Sequence, residues 1–250
     1  MRTIKKLISD FFLDIHNAYE NKAMFDAQSK LLSGRNVECI IDAGAFEGVV
    51  AFEYRKRFRE ATIYCFEPFE EAYCVLTENT KDDPLIKPLK LAISNRKAEA
   101  EFYSNKYAMT NSLLKTDEMA EHYWARGIFQ PRNIVRVSTT TIDDFCTDND
   151  ISQIDVLKMD IQGGEMAALA GSQKMMADGR ILVIYTEMLL VPTYSGQPQF
   201  HEFLGVLKER GFELFKMGNF LHGATGQVRQ CDAIFVNRAL ADSMRKLETT

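Results

Sequence analysis

Three acidic residues stand where an alternating strand–helix chain would place its chemistry. Asp42 ends the run Cys39-Ile40-Ile41, Glu67 ends Ile63-Tyr64-Cys65-Phe66, and Asp160 ends Ile154-Asp155-Val156-Leu157-Lys158-Met159. A glycine turn follows the first, in Asp42-Ala43-Gly44-Ala45-Phe46-Glu47-Gly48. Gly44 lets the backbone turn tightly beside a ligand, and Gly48 lets the next helix pack closely. A dinucleotide fingerprint reads G-x-G-x-x-G. Here the spacing is D-x-G-x-x-x-G, with an acid in place of the first glycine. A carboxylate in that turn repels a pyrophosphate and suits a cationic ligand. S-adenosylmethionine carries an ammonium and a sulfonium and no phosphate, so the turn favours a methyl donor over NAD. Glu67, 25 positions after Asp42, falls beside the Gly44 turn if the two strands are parallel neighbours. From there it can accept both ribose hydroxyls of an adenosine. Nicotinamide proteins share this second acid, so Glu67 argues for adenosine without choosing the cofactor.

The elements that must position these residues follow from periodicity. Helices are expected over about 3–17 and 21–33, then a strand Val37–Ile41, a helix to Phe58, a strand Thr62–Phe66 and a helix Phe69–Asn79. A third strand is expected around Leu89–Ile93. Residues 95–141 break the rhythm. Ala98–Tyr103 and Ile134–Thr139 read as extra strands, and the polar, irregular stretch between them is expected to cover the cofactor pocket as a lid. Alternation resumes with Ile154–Asp160, a turn Ile161-Gln162-Gly163-Gly164, and a short helix ending at Gly171. A strand Ile181–Tyr185 leads to Glu187. A helix Gln199–Arg210 stops at Gly211, and strands Phe212–Lys216 and Ala233–Val236 close the chain as a hairpin. Seven core strands with one antiparallel member predict an α/β, doubly wound, mostly parallel sheet, with residues 1–34 as a helical extension and 35–250 as the main domain.

The 250 residues, 46% hydrophobic and 26% charged, suffice for one core without disulfides or metal. A net charge of −5 argues against nucleic acid as the main partner. The basic run Arg55-Lys56-Arg57 with Arg59 reads as a solvated helix face. No apolar run reaches membrane-spanning length, and MRTIKKLISDFFLDIH lacks the apolar core and cleavage site of a signal peptide. Ile4, Leu7, Ile8, Phe11, Phe12 and Ile15 form an amphipathic stripe, expected to pack on the domain or on a second copy as a homodimer. Five cysteines without a C-x-x-C pair point to a reducing cytoplasm.

Taken together, several strings resemble the FkbM-type methyltransferases. They are IDAGAFEG, CFEPFEEAY, LAISNRKAEAEFY, Thr140–Phe145, LKMDIQGGEMAALAG and Cys231–Val236, in the family's order over about residues 35–237. The chain departs from the family at Phe46-Glu47, often asparagine-isoleucine, and at Gln162, often glutamate. The resemblance implies a class I, Rossmann-like methyltransferase that uses S-adenosylmethionine to methylate a hydroxyl of a sugar, glycolipid or natural product. The residues expected to bind the cofactor are Asp42, Gly44, Ala45, Phe46, Glu47, Gly48, Glu67, Pro68, Phe69, Ala92, Ile93, Ser94, Ser112 and Asp160. Asp160 is the first candidate for the base that assists the alcohol. Glu187 shares that task or orients the acceptor. Lys158, two residues before Asp160, is expected to pair with it, either as a structural ion pair or to tune the base.

Alternatives stay open at this point. Glu165 reads equally well as first-turn charge compensation. Magnesium bridging Asp160 and Glu187 is less expected than no metal, since no histidine stands at ligand spacing. The histidines at 16, 122, 201 and 222 read as surface or helix residues. Tyr107, Asn111, Ser112, Tyr123 and Trp124 either pack the lid or grip cofactor or sugar, and Tyr194–Gln197 line the acceptor side. Two other functions compete: a nicotinamide oxidoreductase, and a silent adenosine-binding assembly protein.

Overall fold

The structure is a computed structural model that describes residues 21–248. The amphipathic stretch 3–17 lies outside the described residues. Helix α1 (residues 21–31) leads to β1 (Cys39–Ala43), α2 (Val49–Arg57), β2 (Thr62–Phe66), α3 (Glu70–Thr80) and β3 (Ile86–Leu89). A second, smaller sheet follows, made of β4 (Ala92–Ile93), β5 (Ala98–Asn105) and β6 (Pro131–Thr140), with the short helix α4 (Ala120–Tyr123) between β5 and β6. The main rhythm returns with α5 (Ile142–Asp148), β7 (Ile154–Met159), α6 (Glu165–Ala170), α7 (Gln173–Ala177), β8 (Ile181–Leu189) and α8 (Phe200–Glu209). The chain ends on β9 (Phe212–His222), β10 (Val228–Asn237) and α9 (Arg238–Glu248).

The main sheet has seven strands in the order β3-β2-β1-β7-β8-β10-β9. All its pairings are parallel except those of β10, which runs antiparallel to both β8 and β9. The order reverses between β1 and β7, and ligands of open α/β sheets bind in the crevice outside the carboxyl strand ends at such a point. Strands β1 and β7 are buried along their whole length, as expected for strands covered on both faces. One face packs Ile41, Leu157, Ile184 and Phe235 with α5–α8. The other packs Ile40, Ile63, Val156 and Val183 against α1, α2 and α9, through Met24, Phe25, Tyr54 and Leu240. Helix α1 is thus part of the core that holds the sheet.

Several sequence expectations shift. The third strand splits in two, because a tight turn (Leu91 N–H to Leu89 C=O, 2.9 Å) sends Ala92-Ile93 away from the main sheet. There they pair with Thr139 and Thr140 of β6. Pro88 is tolerated in β3 because that strand is an edge. Strand β8 runs four residues beyond Tyr185, since β10 pairs with it as far as Leu189. Glu187 is therefore inside a strand and opposite Asp232, instead of at a strand end. The first strand begins two residues later than its apolar run. Helix α9 escaped the reading of the sequence.

Candidate active site

At the switch point, Gly44 adopts φ 79° with its amide donating to Phe66 C=O at 3.0 Å. A Cβ there would stand 1.9 Å from the Asp160 carbonyl oxygen, so the β1 and β7 loops interlock only around glycine. Phe46 follows at φ 48°, a left-handed conformation uncommon for a residue with a side chain. Its amide donates to Glu67 Oε2 at 3.0 Å, and the Phe69 amide donates to Glu67 Oε1 at 2.9 Å. Burial pushes the Glu67 carboxyl up to about 7, against the pull of those two amides. Gly48 has φ 90° and packs on α3, where a Cβ would meet Leu76 at 2.9 Å.

A cavity of about 350 Å³ opens over these loops. Its walls include Gly44, Ala45, Phe46, Glu47, Glu67, Pro68, Ala92, Ile93, Lys158 and Asp160, ten of the residues expected from sequence. Val49, Val50, Phe102 and Leu113 make much of the rest apolar, and Met109, Asn111 and Gln162 also line it. This size and lining suit a small-molecule ligand.

Five expected cofactor residues stand off the cavity wall. Asp42 is fully buried inside β1 and faces Lys158 Nζ at 2.9 Å. The parallel register sets Asp42 directly beside Lys158, so the lysine's ion-pair partner is Asp42 and not Asp160. Lys158 Nζ also donates to Gly44 C=O at 2.8 Å and Ala43 C=O at 3.4 Å, tying the glycine turn to β7. Burial alone would lower the Lys158 pKa, but the charges of Asp42 and Asp160 outweigh it and hold the ammonium charged. Gly48 and Phe69 act through packing and through the Glu67 hydrogen bond. Ser94 donates its amide to Thr140 C=O within the β4–β6 ladder. Ser112 donates its hydroxyl to Gln162 C=O at 2.7 Å.

Asp160 lies one residue past β7, and its Oδ1 accepts from Gln162 Nε2 at 2.9 Å. The same amide nitrogen donates to Glu187 Oε2 at 3.0 Å. Gln162 sits at φ 55° and its Oε1 lies 2.8 Å from the Tyr194 hydroxyl, whose one hydrogen also faces Thr110 C=O. Gln230 Nε2 donates to the other Glu187 oxygen. Burial, then the nearby Asp160 charge, pushes Glu187 well above the carboxylate range. Glu165, buried with Oε1 accepting the Ile161 amide at 2.9 Å, is raised by burial to about 7. Glu187 and Asp160 are thus joined through an amide. Glu187 itself does not line this cavity. Among the described residues no group of three His, Cys, Asp or Glu side chains is disposed to hold a metal ion.

The insertion contributes part of the cavity wall. Its three-residue 3₁₀ turn, Ala108–Thr110, leads to Asn111 and Leu113 on the wall. Farther on, the Asp117 amide donates to Thr193 C=O at 2.9 Å, and Trp124 Nε1 donates to Thr193 Oγ1 at 2.8 Å. Phe129 meets Tyr194 edge-on at 5.6 Å. The stretch expected to be irregular is therefore docked on the loop after β8. Gln162 and Gln230 escaped the sequence reading as site residues. The departure from glutamate at 162 was the available signal for the first, whereas Gln230 depends on strand register and gave none.

The model of the methyltransferase FkbM domain matches residues 38–214. A 2-O-methyltransferase, NoeI, of Sinorhizobium fredii (strain NBRC 101917 / NGR234) is 27% identical over 197 residues, covering 76% of this chain and 77% of that protein. Among solved structures, a magnesium protoporphyrin IX methyltransferase of Synechocystis PCC 6803 with bound SAM aligns over 90% of this chain and 84% of its own, at 10% identity and TM-score 0.44. The fibrillarin pre-rRNA processing protein of Methanococcus jannaschii aligns over 81% and 67%, at 10% identity and TM-score 0.47. The family match spans well over half of the chain: this protein belongs to the FkbM methyltransferase domain family, and S-adenosylmethionine is its methyl donor.

Proposed function

We propose that the protein transfers a methyl group to a hydroxyl of a sugar, glycolipid or natural-product acceptor, with Asp160 taking the hydroxyl proton. The observation that carries this reading is the Asp160 carboxylate, on the wall of the cavity beside the Gly44 turn and oriented by Gln162. The residues present fit the donor. Glu67 can accept the ribose hydroxyls through its remaining lone pairs, Pro68, Ala92 and Ile93 offer an apolar wall to adenine, and the cavity has room for the molecule. S-adenosylmethionine supplies an electrophilic methyl on sulfur, and the carbon–sulfur bonding pair leaves with the thioether. The chain's own part is alignment, which can supply several kcal/mol of such a barrier, and removal of one proton. Phe46, Phe102, Met109 and Leu113 exclude water around that transfer. Glu187, joined to Asp160 through the Gln162 side-chain amide, helps to hold Asp160 in its orientation. The name of the 27% identical relative supports a hydroxyl acceptor.

The test follows labelled methyl groups from S-adenosylmethionine into a carbohydrate-rich cell extract. An ether on a hydroxyl resists mild alkali, so the label is expected to stay on the product. Release of the label as methanol would mean a carboxylate acceptor, and no incorporation into any acceptor would favour a silent adenosine-binding protein.

A further inference from the structure

The cavity wall carries three side chains able to donate hydrogen bonds: Lys158, Gln162 and Asn111. Two are spent. Lys158 Nζ faces Asp42 and the carbonyls of Gly44 and Ala43, which uses its three hydrogens. Gln162 Nε2 serves Asp160 and Glu187, which uses both of its own. Asn111 is different. It is 8% exposed, its Oδ1 accepts the Asn105 amide at 2.7 Å, and its Nδ2 is buried with no hydrogen-bond partner. The Asn105 bond fixes which end of the amide is nitrogen. A buried, unpaired donor costs stability, so this one calls for a ligand acceptor.

S-adenosylmethionine has one group that only accepts hydrogen bonds and carries negative charge, its α-carboxylate. The ammonium and the ribose hydroxyls donate, and Glu67, Glu47 and main-chain carbonyls offer them acceptors. Asn111 also lies beside Ser112, whose hydroxyl holds the Gln162 carbonyl, so it sits at the Asp160 end of the cavity. From this, and resting on the reading of the cavity as the donor site, we infer that the Asn111 side-chain amide binds the α-carboxylate of the methyl donor. The insertion then reads the amino-acid half of the cofactor, and that half is what ties the insertion to donor binding.

Calorimetry with S-adenosylhomocysteine and with 5′-methylthioadenosine, which keeps the nucleoside and sulfur but lacks the amino-acid half, tests this. Asn111→Asp is isosteric and retains the acceptor for the Asn105 amide, while replacing the donor by a charge that repels a carboxylate. It is expected to weaken S-adenosylhomocysteine at least about 10-fold, the scale of a hydrogen bond to a charged group, and to leave 5′-methylthioadenosine within about two-fold. Asn111→Leu should lose less than the aspartate but in the same ligand-selective way. Equal weakening of both ligands, or unchanged S-adenosylhomocysteine affinity, overturns the inference while leaving the methyltransferase reading in place. Failure of the unmodified protein to bind either ligand would instead overturn the assignment of the cavity.

Discussion

Gln162 occupies a backbone conformation that few residues with side chains adopt, and it is held there by four side-chain neighbours. Asp160 and Glu187 take its amide hydrogens, Tyr194 meets its oxygen, and Ser112 holds its main-chain carbonyl. Such strain persists where the surroundings over-determine it, and it clusters at functional sites. In the proposed donor site, Glu67 already receives one amide per oxygen, which fixes the carboxylate for the two-pronged ribose contact proposed for it. Glu67→Ala should weaken S-adenosylhomocysteine by about 2 kcal/mol, roughly 30-fold, for loss of a charge-assisted pair of hydrogen bonds. Unchanged affinity in calorimetry would remove Glu67 from the site. The pairing of Lys158 with Asp42 shows where residue-level reading stops. Proximity in sequence suggested Asp160, but the ion pair is set by the β1–β7 register, which no local pattern encodes.

At the level of elements, the strands with long apolar runs and the glycine turn were legible, because burial on both faces and positive φ leave strong marks in sequence. Strand β2 falls on the expected Thr62–Phe66, and the sheet has the expected seven strands with a single antiparallel member. The extent of β8 was not legible, since its last residues are strand only because β10 lies beside them. The insertion was legible as an interruption, and its docking on Thr193 and Tyr194 was not, being made of contacts about 70 residues apart in sequence. Most of its own apolar side chains are modestly covered, with Tyr107 and Met109 exposed at 50% and 65%. Segments with few buried contacts open first, so residues 105–131 are expected to exchange amide hydrogens readily in the free protein and to gain protection when S-adenosylhomocysteine binds. Equal exchange with and without the ligand would contradict a closing role.

For the whole molecule, the concentration of buried acids ties stability to pH. Burial raises Glu67 and Glu165 to about 7 and Asp232 to about 6, and pushes Glu187 well above the ordinary carboxylate range. An unfolded carboxyl ionises near pH 4, so between about pH 4.5 and 7 the native state binds more protons than the unfolded one. Stability therefore falls as pH rises through that window. Glu165→Gln removes one such group and keeps the acceptor for the Ile161 amide. It should be more stable than the unmodified protein at pH 8 by on the order of 2 kcal/mol, with little difference at pH 5. Melting curves at the two pH values check this, and an equal shift at both would mean that Glu165 is charged in the native state. No helix among the described residues is long and apolar enough to cross a membrane. The family places the molecule among methyl-transfer enzymes and against the nicotinamide alternative.

Everything proposed about the chemistry turns on Asp160 serving the acceptor and not the donor. The direct measurement pairs S-adenosylhomocysteine affinity with labelled methyl transfer for Asp160→Asn. Affinity should stay near that of the unmodified protein while transfer falls about 100-fold, the usual scale for loss of a general base. Affinity lost in step with transfer would make Asp160 a cofactor or folding residue, and full transfer would show that the proton leaves by another route.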